Sequence, residues 1–225
     1  MKSVLAWHFI KPDKKERFEP YRKIVKGETL TCDPNKLEMC SYGLHASANP
    51  LHALQYLDWE DAIICRVKLS GKMIVGNDKI CAEKRTVLWM AKCDRALHEF
   101  AVWCAEQCLS EFEKEYPEDK RLSLAIEAKK KWLKGLITDG ELDAASSAAW
   151  SAVWSAVSSA ASSAASSAVW SAVRSAASSA ESSAAWSAAS SAERSAKRSA
   201  VWSAERSAAW SGQNKQLTKM FNKLK

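Results

Sequence analysis

Tryptophan and arginine share one position of a four-residue repeat that runs from Ser147 to Ser211. Serine recurs at every fourth residue of this tract, and the third residue after each serine is tryptophan, serine or arginine. An indole stacks on a base and a guanidinium pairs with phosphate oxygens, so this position suits a nucleotide. The same two side chains are enriched at the hot spots of protein interfaces. The tract therefore supplies seven predicted ligand-binding residues: Trp154, Trp170, Arg174, Trp186, Arg194, Arg198 and Trp202.

A second interpretation of these tryptophans stays open, because large rings also fill the gaps that a core of alanine and serine leaves.

Nearer the amino terminus, His45 follows a Ser-Tyr-Gly turn, from which its ring could contact a phosphate or a ribose. The alternative is a histidine whose ring nitrogens bond to nearby backbone. Arg66 alternates with apolar neighbours on a predicted strand and is expected to face solvent.

The cysteines do not indicate a metal site. Seven are present, no Cys-x-x-Cys pair occurs, and zinc would require four ligands at a familiar spacing. We therefore predict no metal and no cofactor, and we expect reduced, mostly buried thiols in a cytoplasmic protein. No signal peptide and no apolar run of membrane-spanning length are recognisable, which predicts no membrane partner. The formal charge of +7 permits an anionic partner, but nucleic acid is not favoured because the basic residues are dispersed.

Three zones position these residues. The first, residues 1–92, is predicted to be a small α+β domain with a helix that starts at Asn49-Pro50 and runs through Leu57. Its predicted strands are Val4–Ile10, Ala62–Leu69, a second short strand Met73–Val75 after a Ser70-Gly71 turn, and Arg85–Met90.

The second zone, residues 93–140, is predicted to be a pair of amphipathic helices. One begins at Asp94 and stops before Pro117, and the other spans Glu118 to Lys134 and is closed by Gly135. Lysines 129–131 lie in the last turns of the second helix, where cations suit the helix dipole. Thr138 and Glu141 have the spacing of a capping box, which predicts the start of the next helix.

The third zone, residues 141–225, contains the tetrad repeat and a basic carboxyl-terminal helix. No glycine or proline interrupts the tetrads before Gly212, so the tract favours a helix that buries its small residues and coils back on itself. A β-solenoid and a disordered segment are the alternatives. The predicted fold class is therefore α+β, with a small mixed domain followed by an all-α Ser/Ala tetrapeptide-repeat helical module.

Two stretches resemble known families. Residues 40–69 contain Cys-Ser-Tyr-Gly-Leu-His-Ala, then Asn-Pro-Leu and a tyrosine, and resemble an uncharacterised domain of phage and prophage proteins. Residues 103–145 resemble an immunity protein family from bacterial toxin systems, in which a similar helical pair precedes an alanine-rich repeat tract. These resemblances imply a phage-related protein that acts in conflict between a phage or toxin and a bacterial cell.

A third resemblance concerns the first zone alone. The turn Gly43-Leu44-His45-Ala46-Ser47, the helix that leads to Tyr56 and the strand after it are similar to the core of ADP-ribosyltransferase-like folds. The resemblance implies that His8 stands where such folds keep an NAD-binding histidine, and it adds His8 and Tyr56 to the ligand-binding set. The chain departs from the pattern because the glycine expected after that histidine is absent. Glu83 is the nearest candidate for a catalytic glutamate.

The sequence thus predicts a non-catalytic, phage-related binding protein of the counter-defence or immunity type, which captures a host defence protein or a nucleotide-type immune signal. One alternative is an ADP-ribosyltransferase-like or NAD-cleaving enzyme in the first zone. Another alternative is a structural protein that forms homo-oligomers through the repeat.

Overall fold

The computed structural model describes residues 3–58, 61–158 and 203–225, and within these ranges it contains five strands and five helices. The strands are β1 (Val4–Ile10), β2 (Thr29–Thr31), β3 (Leu44–Ala46), β4 (Ile63–Val75) and β5 (Ile80–Lys92). The helices are α1 (Pro50–Leu54), α2 (Asp94–Glu115), α3 (Arg121–Leu133), α4 (Asp139–Ser158) and α5 (Ser203–Asn222). An antiparallel sheet followed by helices confirms the α+β class.

The chain divides into two compact units, of which the first holds residues 1–94 and 217–225. Its strands pair in the order β1-β4-β5-β2, and β3 pairs with β5 beyond the end of β2. Two backbone hydrogen bonds of 2.7 and 3.0 Å join Trp7 to Ser47, just after β3. Strand β1 therefore has β4 on one edge and the end of β3 on the other, so the sheet curls back on itself.

Alternation along β1 sends side chains to two apolar groups. Ala6 and Ile10 belong to a cluster of buried residues drawn from all the longer strands of the sheet. Trp7 and Phe9 instead pack against Phe221 from the carboxyl-terminal segment, with ring centroids 5.6 and 6.0 Å apart. Trp89 meets Trp7 edge to face at 5.9 Å. The last turns of α5 thus pack into the core of the first unit. The other residues of that unit precede them by more than a hundred positions in the chain.

Two predicted boundaries in this unit are wrong. The Ser70-Gly71 step is no turn between two strands, because β4 continues to Val75 with a shift of register between Ser70 and Met73. Gly71 has φ +79, and a Cβ there would lie 2.3 Å from the Glu83 carboxylate, so the bulge requires glycine. Helix α1 ends at Leu54 rather than continuing to Leu57, after only five residues.

The second unit, residues 95–216, has a core made by α2, α3 and α4. Helix α2 starts at Asp94 and ends before Pro117, as predicted. Gly135 takes φ +69 and donates its N–H to the Trp132 carbonyl, which confirms it as the residue that closes α3. The capping box is also confirmed, because the Glu141 carboxylate accepts from the Thr138 N–H at 2.8 Å and the Thr138 hydroxyl accepts from the Glu141 N–H at 3.3 Å.

The described ends of the tetrad repeat are helical, within α4 and α5. Ala149 is fully buried in the helical core, and the Ser151 hydroxyl donates to the Ser147 carbonyl at 3.2 Å. That bond returns the serine hydroxyl to the helix backbone. The middle of the repeat, residues 159–202, lies outside the described residues, so the all-α module stays a prediction.

Lys129 lies near the end of α3, as predicted, but it is not exposed to solvent. Its side chain is fully buried, with Nζ 3.9 Å from the centroid of the Trp132 ring. The Trp132 indole donates to Asp139 at 2.6 Å, and the ring of His98 lies edge to face with Trp132 at 4.9 Å.

Within the described ranges, no helix has the length and apolar character that a membrane crossing requires.

Candidate functional site

A cavity of about 200 Å³ lies beside β1 in the first unit, and we call it the aromatic cavity. Its walls combine aromatic rings with cations, and its principal lining residues are Trp7, His8, Phe9, Lys11, Lys15, Arg17, Cys40, His45, Tyr56 and Lys79. Apolar rings beside several positive charges suit a planar anionic ligand. None of the described lining residues of this cavity is a carboxylate.

A second cavity of about 260 Å³, the arginine cavity, shares three lining residues with the first: His8, Arg17 and His45. It is richer in hydrogen-bonding groups, and its principal additional lining residues are Glu16, Arg22, Thr31, Cys32, Ser41, Tyr42 and Arg85. The shared residues place the two cavities side by side, and a single ligand could reach both.

His8 and His45, at the junction of the cavities, are held in the neutral form. Burial, followed by the positive charge of Arg85, holds the pKa of His8 well below its ordinary value. Burial and the neighbouring Lys79 lower the pKa of His45 as well. The Nε2 atom of His45 accepts the Cys40 N–H at 3.2 Å, so the backbone interpretation of this histidine is correct for one ring nitrogen. Both imidazoles therefore offer polar contacts without positive charge at neutral pH.

The positive charge of the arginine cavity is centred on Arg85, which is 3% exposed. Its guanidinium donates to the His45 carbonyl at 2.9 Å and lies 3.4 Å from the Glu16 carboxylate. Glu16 also accepts from Arg22 at 2.7 Å, so one carboxylate is shared by two arginines. The Nε atom of Arg85 is buried and has no hydrogen-bond partner among the described residues.

Tyr56 is fixed in the wall of the aromatic cavity by its neighbours. Its hydroxyl donates to the Asp78 carboxylate, which also accepts from Gln55 at 2.9 Å. Burial and the bond to Asp78 raise the pKa of the Tyr56 phenol, which keeps the hydroxyl protonated. The ammonium of Lys79 lies 4.7 Å from the centre of the Tyr56 ring. A hydrogen bond to Cys40 is the main cause that raises the pKa of Lys79, which therefore stays charged.

Two residues considered from the sequence lie elsewhere. Arg66 does not simply face solvent, because its guanidinium carbon lies 4.3 Å from the centroid of the Trp7 ring and its Nη1 atom is buried. Glu83, the candidate catalytic glutamate, accepts the Lys72 N–H at 3.0 Å and pairs with Lys84 at 3.2 Å. This carboxylate is already occupied by groups outside the cavities.

The structure brings together three of the predicted ligand-binding residues, since His8, His45 and Tyr56 all line the aromatic cavity. Their role in binding remains a prediction. Of the seven residues predicted from the repeat, Trp154 lies in the helix α4. The other six lie outside the described residues: Trp170, Arg174, Trp186, Arg194, Arg198 and Trp202.

Sequence reasoning missed the cations that surround these histidines. Arg17 and Lys79 come from loops, and pattern alone does not show which loops converge. Arg85 had a usable signal, because it lies in a strand whose register places it opposite Leu30 and Leu69. A charged residue among apolar strand neighbours indicates a buried, paired or functional cation.

The fold and the cavities define an α+β protein whose first unit contains adjoining cavities lined by cations and aromatic rings. The described residues of its second unit are mainly helical. Comparison with known families agrees with this division. Residues 4–99 match a family described as a domain of unknown function, DUF7666, and residues 90–207 match the family described as Imm-5 like putative immunity protein. The second match spans more than half of the chain, so the chain belongs to the Imm-5 like putative immunity protein family. No curated protein and no solved structure matches the chain significantly.

Proposed function

We propose that this immunity-type protein binds a nucleotide-class anion in its first unit and sequesters it without chemical conversion. The setting of the proposal is a bacterial cell during phage infection, where the ligand would be a nucleotide immune signal. The observation on which the proposal depends is the aromatic cavity itself, in which rings for a base lie beside Lys11, Lys15, Arg17 and Lys79.

The absence of conversion is proposed because the cavities lack a convincing general base. The described lining of the aromatic cavity has no carboxylate, and Glu16 in the arginine cavity is engaged by two arginines. Glu19, the other carboxylate of the arginine cavity, is exposed to solvent. Each histidine has a pKa below its ordinary value, and a group with a pKa far below the working pH is a weak base. These features suit tight holding of an anion better than proton transfer.

NAD cleavage is a second candidate, favoured by one observation: His8 and Tyr56 line the same cavity, as the transferase-like resemblance implies. Against it, the Tyr56 hydroxyl is bonded to Asp78 and Glu83 is paired elsewhere. Incubation of the full chain with NAD tests this candidate. Release of nicotinamide that is lost in the His8→Ala and Tyr56→Phe variants would favour it, and no release would remove it.

The direct test of sequestration is calorimetric titration of ADP-ribose into the full chain, followed by denaturation and mass spectrometry of the released ligand. We expect saturable binding and recovery of intact ADP-ribose. No detectable binding would reject the nucleotide version of the function. Recovery of a cleaved product would reject sequestration in favour of catalysis.

A matched pair of lysine variants localises the binding. Lys79→Gln removes a charge that lines the aromatic cavity, whereas Lys68→Gln removes the same charge from an exposed position of β4. Loss of one charge-assisted contact should weaken binding by roughly tenfold. We therefore expect weaker binding for Lys79→Gln and unchanged binding for Lys68→Gln. Equal effects in both variants would indicate a nonspecific response to net charge.

A further inference from the structure

The size of the two cavities indicates that a ligand occupies both. Sites for small molecules commonly hold roughly 300 Å³ or more. Neither the aromatic cavity of about 200 Å³ nor the arginine cavity of about 260 Å³ reaches that volume alone, whereas together they exceed it. Because His8, Arg17 and His45 belong to both linings, the two cavities adjoin at these residues.

The two cavities offer different chemistry. Rings line the aromatic cavity. Three guanidinium groups, the hydroxyls of Thr31, Ser41 and Tyr42 and the carboxylates of Glu16 and Glu19 line the arginine cavity, so its guanidinium groups outnumber its carboxylates. Guanidinium groups match the spacing of phosphate oxygens and form bidentate bonds with them. A ligand with a flat apolar end and a phosphorylated end would therefore have one favoured orientation.

Arg85 gives a second, independent indication of an anion. A buried N–H without a partner is uncommon in proteins and requires an explanation. The Nε atom of Arg85 is such a group, on a side chain that is almost fully buried and lines the arginine cavity. The 3.4 Å separation between its Nη2 and Glu16 is also long for a charged pair. The bonding capacity of this guanidinium is thus incompletely used by the described residues.

Resting on the proposed function, we infer that the arginine cavity is a phosphate subsite and that the ligand is a nucleotide with at least two linked phosphates. Its base lies in the aromatic cavity and its phosphates lie beside Arg17, Arg22 and Arg85. The 2.6 Å pair of Arg17 with Asp58 is exposed on both sides, and exposed pairs of this kind contribute little to stability. Glu16 occupies Arg22 and Arg85 in the free protein and competes with the phosphates.

The test compares adenosine, AMP and ADP as probes, each titrated calorimetrically into the full chain. The expected affinity rises from adenosine to ADP, by roughly tenfold to a hundredfold over the series. In the Arg17→Gln and Arg22→Gln variants this preference for ADP should shrink. Adenosine binding should stay unchanged in Arg22→Gln, because Arg22 lines the arginine cavity and not the aromatic cavity. In the Glu16→Gln variant, which removes the competing carboxylate, ADP should bind more tightly than it does to the wild-type chain.

The control is Arg95→Gln, which removes one positive charge from an exposed pair in the second unit and should leave the series unchanged. Circular dichroism of each variant establishes that it is folded before it is titrated. Equal binding of adenosine and ADP, or an undiminished preference in both arginine variants, would overturn the phosphate subsite and leave the proposed function standing. Binding of none of the three probes would overturn both.

Discussion

Replacing Phe221 by alanine tests how strongly the carboxyl-terminal segment holds the first unit together. Phe221 is fully buried and packs against two rings of β1, Trp7 at 5.6 Å and Phe9 at 6.0 Å. Truncating a buried phenylalanine to alanine costs about 3–5 kcal/mol. We expect a loss of this size, because the aromatic contacts disappear together with the buried area.

Hydrogen exchange of a peptide that covers Val4–Ile10 measures this effect within the first unit alone. A loss of 3–5 kcal/mol corresponds to exchange that is faster by about a hundredfold to several thousandfold. Since Trp7 also lines the aromatic cavity, binding of ADP-ribose should weaken in the same variant. The control is Leu136→Ala, whose side chain is 68% exposed and whose effect should stay within about 0.5 kcal/mol. Unchanged exchange in Phe221→Ala would refute the packing of this segment against β1.

Two further predictions concern the helical unit. Thr138→Ala removes the capping box of α4 and should lower the free energy of unfolding by about 1 kcal/mol. Ser151→Ala should be neutral or slightly stabilising, because alanine has a higher helix propensity than serine. Urea titration measures both, and a loss in Ser151→Ala as large as that in Thr138→Ala would contradict the cap. Burial and the nearby Lys129 lower the pKa of His98 to about 4. Between pH 6.5 and 4 the histidine is therefore protonated in the unfolded state but not in the folded state. The contribution of His98 to the free energy of unfolding is complete above pH 6.5 and should fall by up to about 3 kcal/mol as the pH drops to 4. A His98→Gln variant should lose less stability over that range, and an equal loss would show that other groups cause it.

Local signals in the sequence predicted the ends of α2 and α3 and the start of α4 well, whereas α3 begins at Arg121 rather than at the predicted Glu118. Pro117, Gly135 and the Thr138–Glu141 box act through bonds within a few residues, so the sequence alone determines their effect. The turn predicted at Ser70-Gly71 was wrong because the same residue types that favour a turn also occur in a β-bulge. Only pairing with β5 distinguishes these two outcomes, and that pairing depends on residues far along the chain.

The candidate site was predictable in part. The turn before His45 indicates this histidine, a resemblance indicates His8 and Tyr56, and the structure places all three on one cavity. Arg85 and Lys79 were not identified, because their approach depends on the curl of the sheet that joins Trp7 to Ser47. The burial of Phe221 against β1 was equally hidden, since it joins segments more than two hundred residues apart.

A crystal structure of the full chain with ADP-ribose would test the central claim most directly. Our account predicts density for the adenine against the exposed ring of Tyr56, and density for the diphosphate between Arg17 and Arg85. Ligand density in the helical unit alone, with both cavities of the first unit empty, would contradict it.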